Sequence, residues 1–284
     1  MRKLPFLIGA LCALHLSSAN AVTLFFHGQA KQGGTLFGYA SPDAEVTLNG
    51  EKLDVRKDGW FIVGIGRDDT GFLKFAAQDD DERVEKTFKI KPVKWKVQRV
   101  NGLPQNTVTP NKAEQKRIEK EAKITQKARE NDTGSEFPLC FSLPAKGRIS
   151  SVYGSQRILN GIPANQHNAL DIANKEGTII RAPADAVVLL SYDEMLLSGK
   201  TLLLGHGQNL TTSYIHMNKL FVKKGQKVKK GDQLGTIGMT GRANGPHLHW
   251  TVMWKNKRVD PQTFLNNSRS FCARTIQTQE VNHE

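Results

Sequence analysis

Two histidines lie one residue apart in the stretch Gly245-Pro246-His247-Leu248-His249-Trp250, at the start of an apolar run that continues through Trp254. Such a run is typical of a β-strand, whose side chains alternate between two faces, so His247 and His249 are expected to face the same way. Two imidazoles on one face form either a metal site or an acid/base pair, because neutral imidazole binds metals and titrates near neutrality. Most His-x-His pairs are two hydrogen-bonded histidines at the protein surface. The metal or acid/base interpretation therefore needs support from elsewhere in the chain.

Three further side chains of the same chemistry lie upstream. His167 and Asp171 are four residues apart, and His216 follows the apolar pair Tyr214-Ile215. A catalytic zinc takes three protein ligands from His, Asp or Glu and keeps one position open for water, and this set offers enough of them. Each also has a structural explanation, as an ion pair for His167 with Asp171 or as a buried, hydrogen-bonded ring for His216. One shared site explains all of them together better than separate coincidences do.

Residues 1–21 have the composition of a secretory signal. Arg2 and Lys3 precede an apolar run from Leu4 to Leu16, and small residues end the segment at Ala21. The run is too short to cross a bilayer as a helix. The mature chain is therefore expected to be exported and soluble, with no stable membrane insertion. A monomer is expected as well.

The charge balance predicts an anionic partner. The formal net charge is +13, and it falls to +11 once Arg2 and Lys3 leave with the signal. An exported protein does not meet nucleic acid, so the polyanionic cell wall or a membrane surface is the better candidate.

Export also decides how the cysteines are interpreted. Cys12 lies in the signal segment, so the mature chain keeps Cys140 and Cys272. An even pair in an oxidising compartment predicts a disulfide rather than a reactive thiol.

Residues 22–95 predict a small all-β domain that has no cluster of catalytic or metal-binding side chains. The dipeptides Asn49-Gly50 and Asp58-Gly59 are typical of hairpin turns. Strands are expected at Gly34–Ala40, Ala44–Leu48, Leu53–Arg56, Trp60–Ile65, Gly71–Gln78 and Arg83–Ile90. This many short strands with no helical period predict a non-catalytic, immunoglobulin-like β-sandwich.

Residues 96–137 are predicted to be a linker. The segment Val100–Pro110 is expected to be a loop, and Asn111–Glu130 is rich in Lys, Glu, Gln and Ala, which favours a helix that is polar on most faces. A helix of this kind is usually a solvated spacer. Coverage of a groove by this helix is the alternative.

Residues 138–272 have a different sequence pattern, with short apolar runs separated by glycines. They predict an all-β domain without long helices, large enough to bury a core of its own. The final residues, 273–284, are predicted to be a polar tail.

The part from Arg148 to Phe264 resembles the lysostaphin/LytM-type zinc metallopeptidases, which cut peptide bridges of bacterial peptidoglycan. Four elements occur in the order that this family has. They are His-x-x-x-Asp at His167 and Asp171, His-Met at His216, the Lys/Gly-rich hairpin at 222–232, and Thr240-Gly241-Arg242-Ala243-Asn244-Gly245-Pro246-His247-Leu248-His249.

The resemblance implies one Zn²⁺ per chain, held by His167, Asp171 and His249. It implies His216 and His247 as the unliganded catalytic pair, and antiparallel sheets folded around a narrow groove. With this ligand set complete, His206 is expected to lie in a hairpin turn, and His283 lies in the polar tail.

The resemblance also implies the substrate, the peptide stems and cross-links of peptidoglycan. A plain cleavable signal fits the periplasm of a Gram-negative cell, where the D-Ala to meso-diaminopimelate cross-link is the expected target. The alternatives are a glycine-bridge endopeptidase, a catalytically inactive activator of another wall hydrolase, and a wall-binding module that uses the basic surface.

Two positions depart from the family pattern. Ala169 stands where the family usually has glycine, and Thr251 stands where it usually has glutamate. Neither is an implied ligand, so groove shape rather than activity is expected to differ.

Overall fold

The computed structural model describes residues 21–281 apart from residues 104, 132 and 133. The predicted signal segment before residue 21, and His283, lie outside the described residues. The described chain is mainly β, as predicted, and its two largest sheets are antiparallel throughout.

Two sheets form the amino-terminal part. The strands are β1 (Leu24–Gly28), β2 (Thr35–Ala40), β3 (Glu45–Leu48), β4 (Glu51–Lys52), β5 (Trp60–Gly64), β6 (Phe72–Gln78) and β7 (Arg83–Lys89). They pair as a three-stranded sheet, β1-β2-β5, and a four-stranded sheet, β4-β3-β6-β7. Phe26 packs between the sheets, with its ring centroid 5.8 Å from that of Phe61 and 4.4 Å from that of Phe75. The immunoglobulin-like class of this sandwich stays a prediction.

The strand predicted at Leu53–Arg56 is wrong. Asn49 and Gly50 form the predicted turn between β3 and β4, with φ of 51° and 86°, the left-handed conformation that such hairpins need. β4 ends at Lys52, and the chain then crosses to the other sheet, where β5 pairs with β2. The crossing residues belong to neither sheet, and the burial of Leu53 explains their apolar pattern.

The linker contains a short strand and two helices, β8 (Val97–Val100), α1 (Gln105–Val108) and α2 (Lys112–Arg129). The predicted polar helix therefore forms within one or two residues of its expected bounds. It begins with a capping box, in which the Asn111 side chain accepts hydrogen bonds from the backbone of Ala113 and Glu114 while Glu114 accepts one from the backbone of Asn111.

A ten-stranded sheet dominates the carboxy-terminal part. The remaining strands are β9 (Arg148–Ser151), β10 (Gln156–Leu159), β11 (Ile162–Pro163), β12 (Leu170–Ala173), β13 (Ile179–Arg181), β14 (Ala186–Met195), β15 (Gly199–Gly205), β16 (Leu210–Leu220), β17 (Lys227–Val228), β18 (Gln233–Ile237), β19 (His247–Trp254) and β20 (Lys257–Val259). The path through the sheet is β17-β14-β15-β16-β19-β12-β9, and β13, β18 and β20 join it through β16 and β19. β8 and β11 flank β10 in a separate three-stranded sheet.

The helix α2 is not a solvated spacer. Glu121, which is buried, accepts a hydrogen bond of 2.9 Å from the backbone nitrogen of Leu196. Ala128 packs in an apolar cluster with Leu190 and Leu203 of β14 and β15. The helix is polar on most faces, but its small apolar face is held against the sheet.

The prediction that residues 138–272 contain no long helix is wrong. α3 (Pro261–Val281) follows β20 and runs into the predicted polar tail. Asp260 caps it by accepting a hydrogen bond from the backbone of Gln262, and proline stands at the first helical position. Buried Phe264 and Phe271, seven residues apart, show the helical period in the sequence. Among the described helices, none combines the length and apolar composition needed to cross a membrane.

The amino-terminal sheet and the carboxy-terminal part share one continuous apolar core. The Phe37 ring lies 6.0 Å from those of Phe264 and Phe271 of α3. Gly64 of β5 lies so close to β19 that an added Cβ would meet the Cβ of Trp254 at 2.8 Å. The structure packs the sandwich directly against the larger part, and the predicted domain boundaries stay a prediction.

The predicted disulfide joins Cys140 to Cys272, whose Cα atoms are 5.8 Å apart. It ties α3 to the segment before β9 across a sequence separation of 132. Replacing both cysteines with serine should lower the free energy of unfolding by about 2 to 4 kcal/mol, because the unfolded chain regains the freedom that the link removes. Urea unfolding of the oxidised protein and the double variant measures this. Alkylation of purified residues 22–284 without reduction, followed by intact mass, should find no labelled thiol; two labelled cysteines would rule the bridge out.

Candidate metal centre and active site

Strand pairing brings three of the predicted site residues to one cavity. β12 runs antiparallel to β19 and places Asp171 opposite His249 and Ala173 opposite His247. Opposed residues of an antiparallel pair project from the same face of the sheet. All four line a cavity of about 890 Å³. The predicted shared orientation of His247 and His249 is therefore confirmed.

His167 reaches the same point from the segment before β12. Its backbone nitrogen donates to the carbonyl oxygen of Ser155 at 2.8 Å, and its side chain is buried. Its Nε2 lies 3.0 Å from Oδ1 of Asp171 and 3.3 Å from Nδ1 of His249. The last two atoms are themselves 2.8 Å apart. Three atoms that can bind a metal thus converge from two stretches of sequence, 167–171 and β19.

The hydrogen bonds of His167 decide which of its nitrogens is free. Nδ1 lies 2.9 Å from the carbonyl oxygen of Val152. A carbonyl oxygen only accepts, so Nδ1 carries the hydrogen of the neutral ring and Nε2 carries a lone pair. That lone pair faces Asp171 and His249, which is the tautomer that a metal ligand requires.

The spacing of the three atoms fits zinc. Tetrahedral zinc with bonds of about 2.0 to 2.1 Å separates neighbouring ligand atoms by about 3.3 Å. The three separations here run from 2.8 to 3.3 Å. Two imidazole nitrogens and one carboxylate oxygen are also a donor set that zinc takes in catalytic sites. The residues present therefore fit the implied ion.

A second group of possible ligands overlaps the first. His216, His247 and His249 each offer a nitrogen, and these nitrogens all lie within 4.8 Å of one another. Nδ1 of His216 donates to the carbonyl oxygen of Thr240 at 2.7 Å, and Nδ1 of His247 donates to that of Gly245 at 2.8 Å. Both rings therefore present an Nε2 lone pair, and their centroids are 4.9 Å apart. The first group has its three atoms 2.8 to 3.3 Å apart and contains a carboxylate, which makes it the better zinc site.

A β-bulge directs His216 into the cavity. Ser213 and Ile215 line the cavity, so simple alternation along β16 would place His216 on the opposite face. The pairing of β16 with β15 shifts register at this point, and His216 has a φ of 62°. The bulge returns the imidazole to the face shared with His249, at the cost of a backbone conformation that is uncommon for non-glycine residues.

A comparison with protein-family models matches residues 165–261 to peptidase family M23. The chain carries an M23 peptidase domain. The matched range contains all of the predicted site residues, namely His167, Asp171, His216, His247 and His249.

Relatives of the M23 domain include proteins that are named as enzymes and as activators. The peptidoglycan DD-endopeptidase ShyA of Vibrio cholerae is 34% identical over 124 residues, which cover 42% of this chain and 28% of that protein. The murein hydrolase activator NlpD of Escherichia coli is 26% identical over 122 residues, which cover 43% of this chain and 30% of that protein. The chain thus spans less than a third of the length of either relative.

One solved structure resembles more than the M23 domain. The crystal structure of a putative peptidase M23 from Pseudomonas aeruginosa is 29% identical and has a TM-score of 0.64. The match covers 84% of this chain and 95% of that chain. The similarity in fold therefore extends into the amino-terminal half.

Burial sets the protonation states in the M23 site. It lowers the pKa of His216 to about 3, and repulsion from nearby His249 and His247 acts in the same direction. Burial also lowers the pKa of His249, against the opposing attraction to Asp171. Burial alone would raise the pKa of Asp171, but attraction to His249 and hydrogen bonds from His167 and His249 hold it well below its ordinary value. Neutral rings beside an ionised carboxylate are the forms that bind a divalent metal.

Three side chains around the M23 site were not predicted. Arg157 donates from Nη2 to Oδ2 of Asp171 at 3.1 Å, and Oγ of Ser151 lies 2.9 Å from Nδ1 of His167. Gln98 of β8 lines the same cavity. No motif marks them, because arginine, serine and glutamine are common at surfaces and only strand pairing brings these three to the site.

The part of the linker that lines the cavity precedes the polar helix, whereas the alternative considered from the sequence was coverage by that helix. Gln98, Val100, Leu103 and Val108 line it, and all of them precede α2. No described residue of α2 lines the cavity, because that helix packs against β14 and β15. Coverage of the groove by the polar helix is therefore not observed.

The two departures from the family pattern leave the candidate ligands in place. Ala169 is fully buried, and its φ is not positive, so its methyl group needs no strained backbone. Thr251 lies on β19 two residues beyond His249 and lines the cavity. Thr251 thus changes the groove wall and leaves the converging ligand atoms unchanged.

His206 is a structural residue. It follows β15 at the start of the predicted turn, and its side chain is buried. Nδ1 lies 2.9 Å from the carbonyl oxygen of Asp185, and Nε2 lies 2.8 Å from Oγ1 of Thr212. Burial lowers its pKa to about 4. Both nitrogens are engaged, so the ring stays neutral and serves the packing of the domain.

Proposed function

We propose that this protein is a zinc-dependent endopeptidase that hydrolyses peptide cross-links of peptidoglycan. One observation carries the proposal: Nε2 of His167, Oδ1 of Asp171 and Nδ1 of His249 converge within 3.3 Å beside two further imidazoles in one cavity. A ligand set next to a pair of proton-transfer groups is the arrangement that metal-assisted hydrolysis of an amide needs. The M23 domain supports the same reaction class.

In the proposed site, His167, Asp171 and His249 hold one zinc ion per chain. When bound, zinc supplies activation of a water molecule and polarisation of the scissile carbonyl. Arg157 holds the second carboxylate oxygen of Asp171, which leaves Oδ1 directed at the two ligand imidazoles. The ligands are thus oriented by contacts within the protein.

His216 and His247 are the proposed proton-transfer pair. Each keeps its Nδ1 hydrogen on a backbone carbonyl oxygen, that of Thr240 or Gly245. Each can therefore accept a proton at Nε2 from the attacking water and return it to the leaving amine. The protonated ring can also donate a hydrogen bond to the oxyanion. The carbonyl oxygens of Thr240 and Gly245 stabilise the imidazolium that exists between the two proton transfers.

The charge of the cavity suits a substrate that carries carboxylates. Four arginines line it, while Asp171 is the only acidic side chain among its described lining residues; the arginines are Arg148, Arg157, Arg242 and Arg258. The stem peptides of peptidoglycan are anionic, so a basic groove attracts them. Together with the names of the relatives ShyA and ShyB, peptidoglycan DD-endopeptidases, this supports the D-Ala to meso-diaminopimelate bond as the substrate, in a periplasmic setting.

An activator of another wall hydrolase is the second candidate, because NlpD is named as one. The convergence of a full zinc donor set and two free Nε2 atoms favours the enzyme, since an activator needs no such chemistry. The two candidates differ in what the purified protein does alone.

Digestion of cross-linked diaminopimelate-type sacculi by residues 22–284 tests the proposed function. Mass spectrometry should show cross-linked muropeptides converted to monomers that end in D-Ala, with loss of the reaction after chelation and its return with zinc. The variant His249→Ala, purified in parallel, controls for contaminating hydrolases. Cleavage of glycine-bridged sacculi alone would assign the other specificity. Stimulation of a second hydrolase by a protein that cleaves nothing itself would assign the activator.

A further inference from the structure

We propose that Gln98, which lies outside the M23 domain, is a positioning residue for the candidate metal centre. The inference rests on the zinc site proposed above and extends it to a residue of the linker. Gln98 belongs to β8, which pairs in parallel with β10 and places Gln98 opposite Arg157. Its side chain lines the cavity that holds the candidate ligands.

One oxygen atom of Gln98 accepts two hydrogen bonds. Oγ of Ser151 donates to Oε1 of Gln98 at 3.0 Å, and Nε of Arg157 approaches the same Oε1 at 3.3 Å. A guanidinium only donates, so the atom that faces Arg157 must be the amide oxygen rather than the amide nitrogen. Arg157 thereby fixes the orientation of the Gln98 amide.

The first hydrogen bond reaches the candidate ligand His167. Ser151 has a single hydroxyl hydrogen, and because this hydrogen goes to Gln98, the Ser151 oxygen presents a lone pair to Nδ1 of His167 at 2.9 Å. That contact favours the hydrogen on Nδ1, in the same direction as the carbonyl oxygen of Val152. With the Gln98 acceptor removed, the Ser151 hydrogen is free to turn toward Nδ1, where it competes with the hydrogen that the Val152 carbonyl oxygen keeps there, and the preference for the metal-binding tautomer weakens.

The second hydrogen bond reaches the candidate ligand Asp171. Arg157 donates from Nε to Oε1 of Gln98 at 3.3 Å and from Nη2 to Oδ2 of Asp171 at 3.1 Å, so the two contacts together hold the guanidinium in place. Two of the three candidate ligands are therefore each separated from Gln98 by one side chain. Side chains that hydrogen-bond a metal ligand directly typically change metal affinity by about 10- to 100-fold when they are removed. Gln98 acts on the ligands through two such side chains, Ser151 and Arg157.

The test compares two replacements of Gln98 with a matched control. Gln98→Met keeps the length of the side chain and removes the acceptor, whereas Gln98→Glu keeps an acceptor oxygen. Arg99→Met makes a similar change at the next residue of β8, which is exposed and does not line the cavity. Zinc affinity is measured by competition with a chromophoric chelator, and the Co²⁺ absorption spectrum reports the geometry of the ligands.

Gln98→Met should weaken zinc binding by about 10-fold, the lower end of the range for direct partners of metal ligands, and alter the Co²⁺ spectrum. Gln98→Glu should stay within a few-fold of the wild type, and Arg99→Met should match it. Ser151→Ala removes the hydroxyl group that links Gln98 to His167 without changing β8, so it should weaken zinc binding as well. Unfolding of the metal-free variants separates a loss of fold from a loss of positioning.

Different failures identify different errors. A wild-type protein that binds no zinc would overturn the proposed metal centre, and the role of Gln98 with it. A wild-type protein that binds zinc, with Gln98→Met and Ser151→Ala binding equally well, would overturn the role of Gln98 alone. A Gln98→Glu variant as weak as Gln98→Met would show that the acceptor oxygen is not what matters and would also overturn the inference.

Discussion

Replacing His167, Asp171 or His249 with alanine should remove bound zinc and hydrolytic activity together. Each replacement leaves at most two of the three converging ligand atoms, and two protein ligands do not retain a catalytic zinc. The expected result is a fall from one zinc per chain to near none, with sacculus hydrolysis at the background rate. Metal content of the purified variants measures the first part, and release of muropeptides measures the second.

The overlap of the two possible ligand groups makes the choice of variants important. His249 belongs to both groups, so its loss cannot tell them apart. His167→Ala and Asp171→Ala can, because these residues belong to the first group alone. Gln166→Ala changes the polar residue beside His167 and should keep its zinc. Full zinc in His167→Ala and Asp171→Ala, with loss from His216→Ala and His247→Ala, would assign the metal to the three histidines instead.

Replacing His216 or His247 should leave zinc bound and slow turnover by about 100-fold or more. That is the usual scale for lost proton transfer or oxyanion stabilisation, and neither residue belongs to the ligand group that contains Asp171. Zinc content and kcat on a purified cross-linked muropeptide measure the two effects separately. His247 and His249 would then differ in function although they share one strand face.

The backbone at His216 calls for a second variant. Its φ of 62° is costly for alanine, whereas asparagine visits this conformation more readily. His216→Asn therefore removes the proton-transfer group with less disturbance of the bulge and should lose as much activity as His216→Ala. Near-normal turnover in His216→Asn, with poor folding of His216→Ala, would mean that His216 is structural.

Local patterns in the sequence determined much of the fold and the composition of the site. The alternation at His247 and His249 follows from the two-residue period of a strand, and the disulfide follows from the even pair of cysteines in residues 22–284. The helix at 111–130 follows from its composition and its capping residues. These features depend on neighbours in the chain, so they are readable without the fold. The helical spacing of the apolar residues of α3 and its capping aspartate are in the sequence, but the short apolar runs of this domain suggested strands alone, so α3 was not predicted.

Only the tertiary structure decided how the site residues meet and what supports them. The direction of His216 depends on a register shift between β15 and β16, and the contact of Gln98 with Ser151 and Arg157 depends on β8 pairing with β10. The shared core of the two halves depends on the packing of α3 against β2. Each joins residues far apart in the chain through pairing or packing, and no local period encodes such contacts. The sequence by itself therefore determined which chemical groups the site contains, and the tertiary structure determined their orientation and the linker residue that supports them.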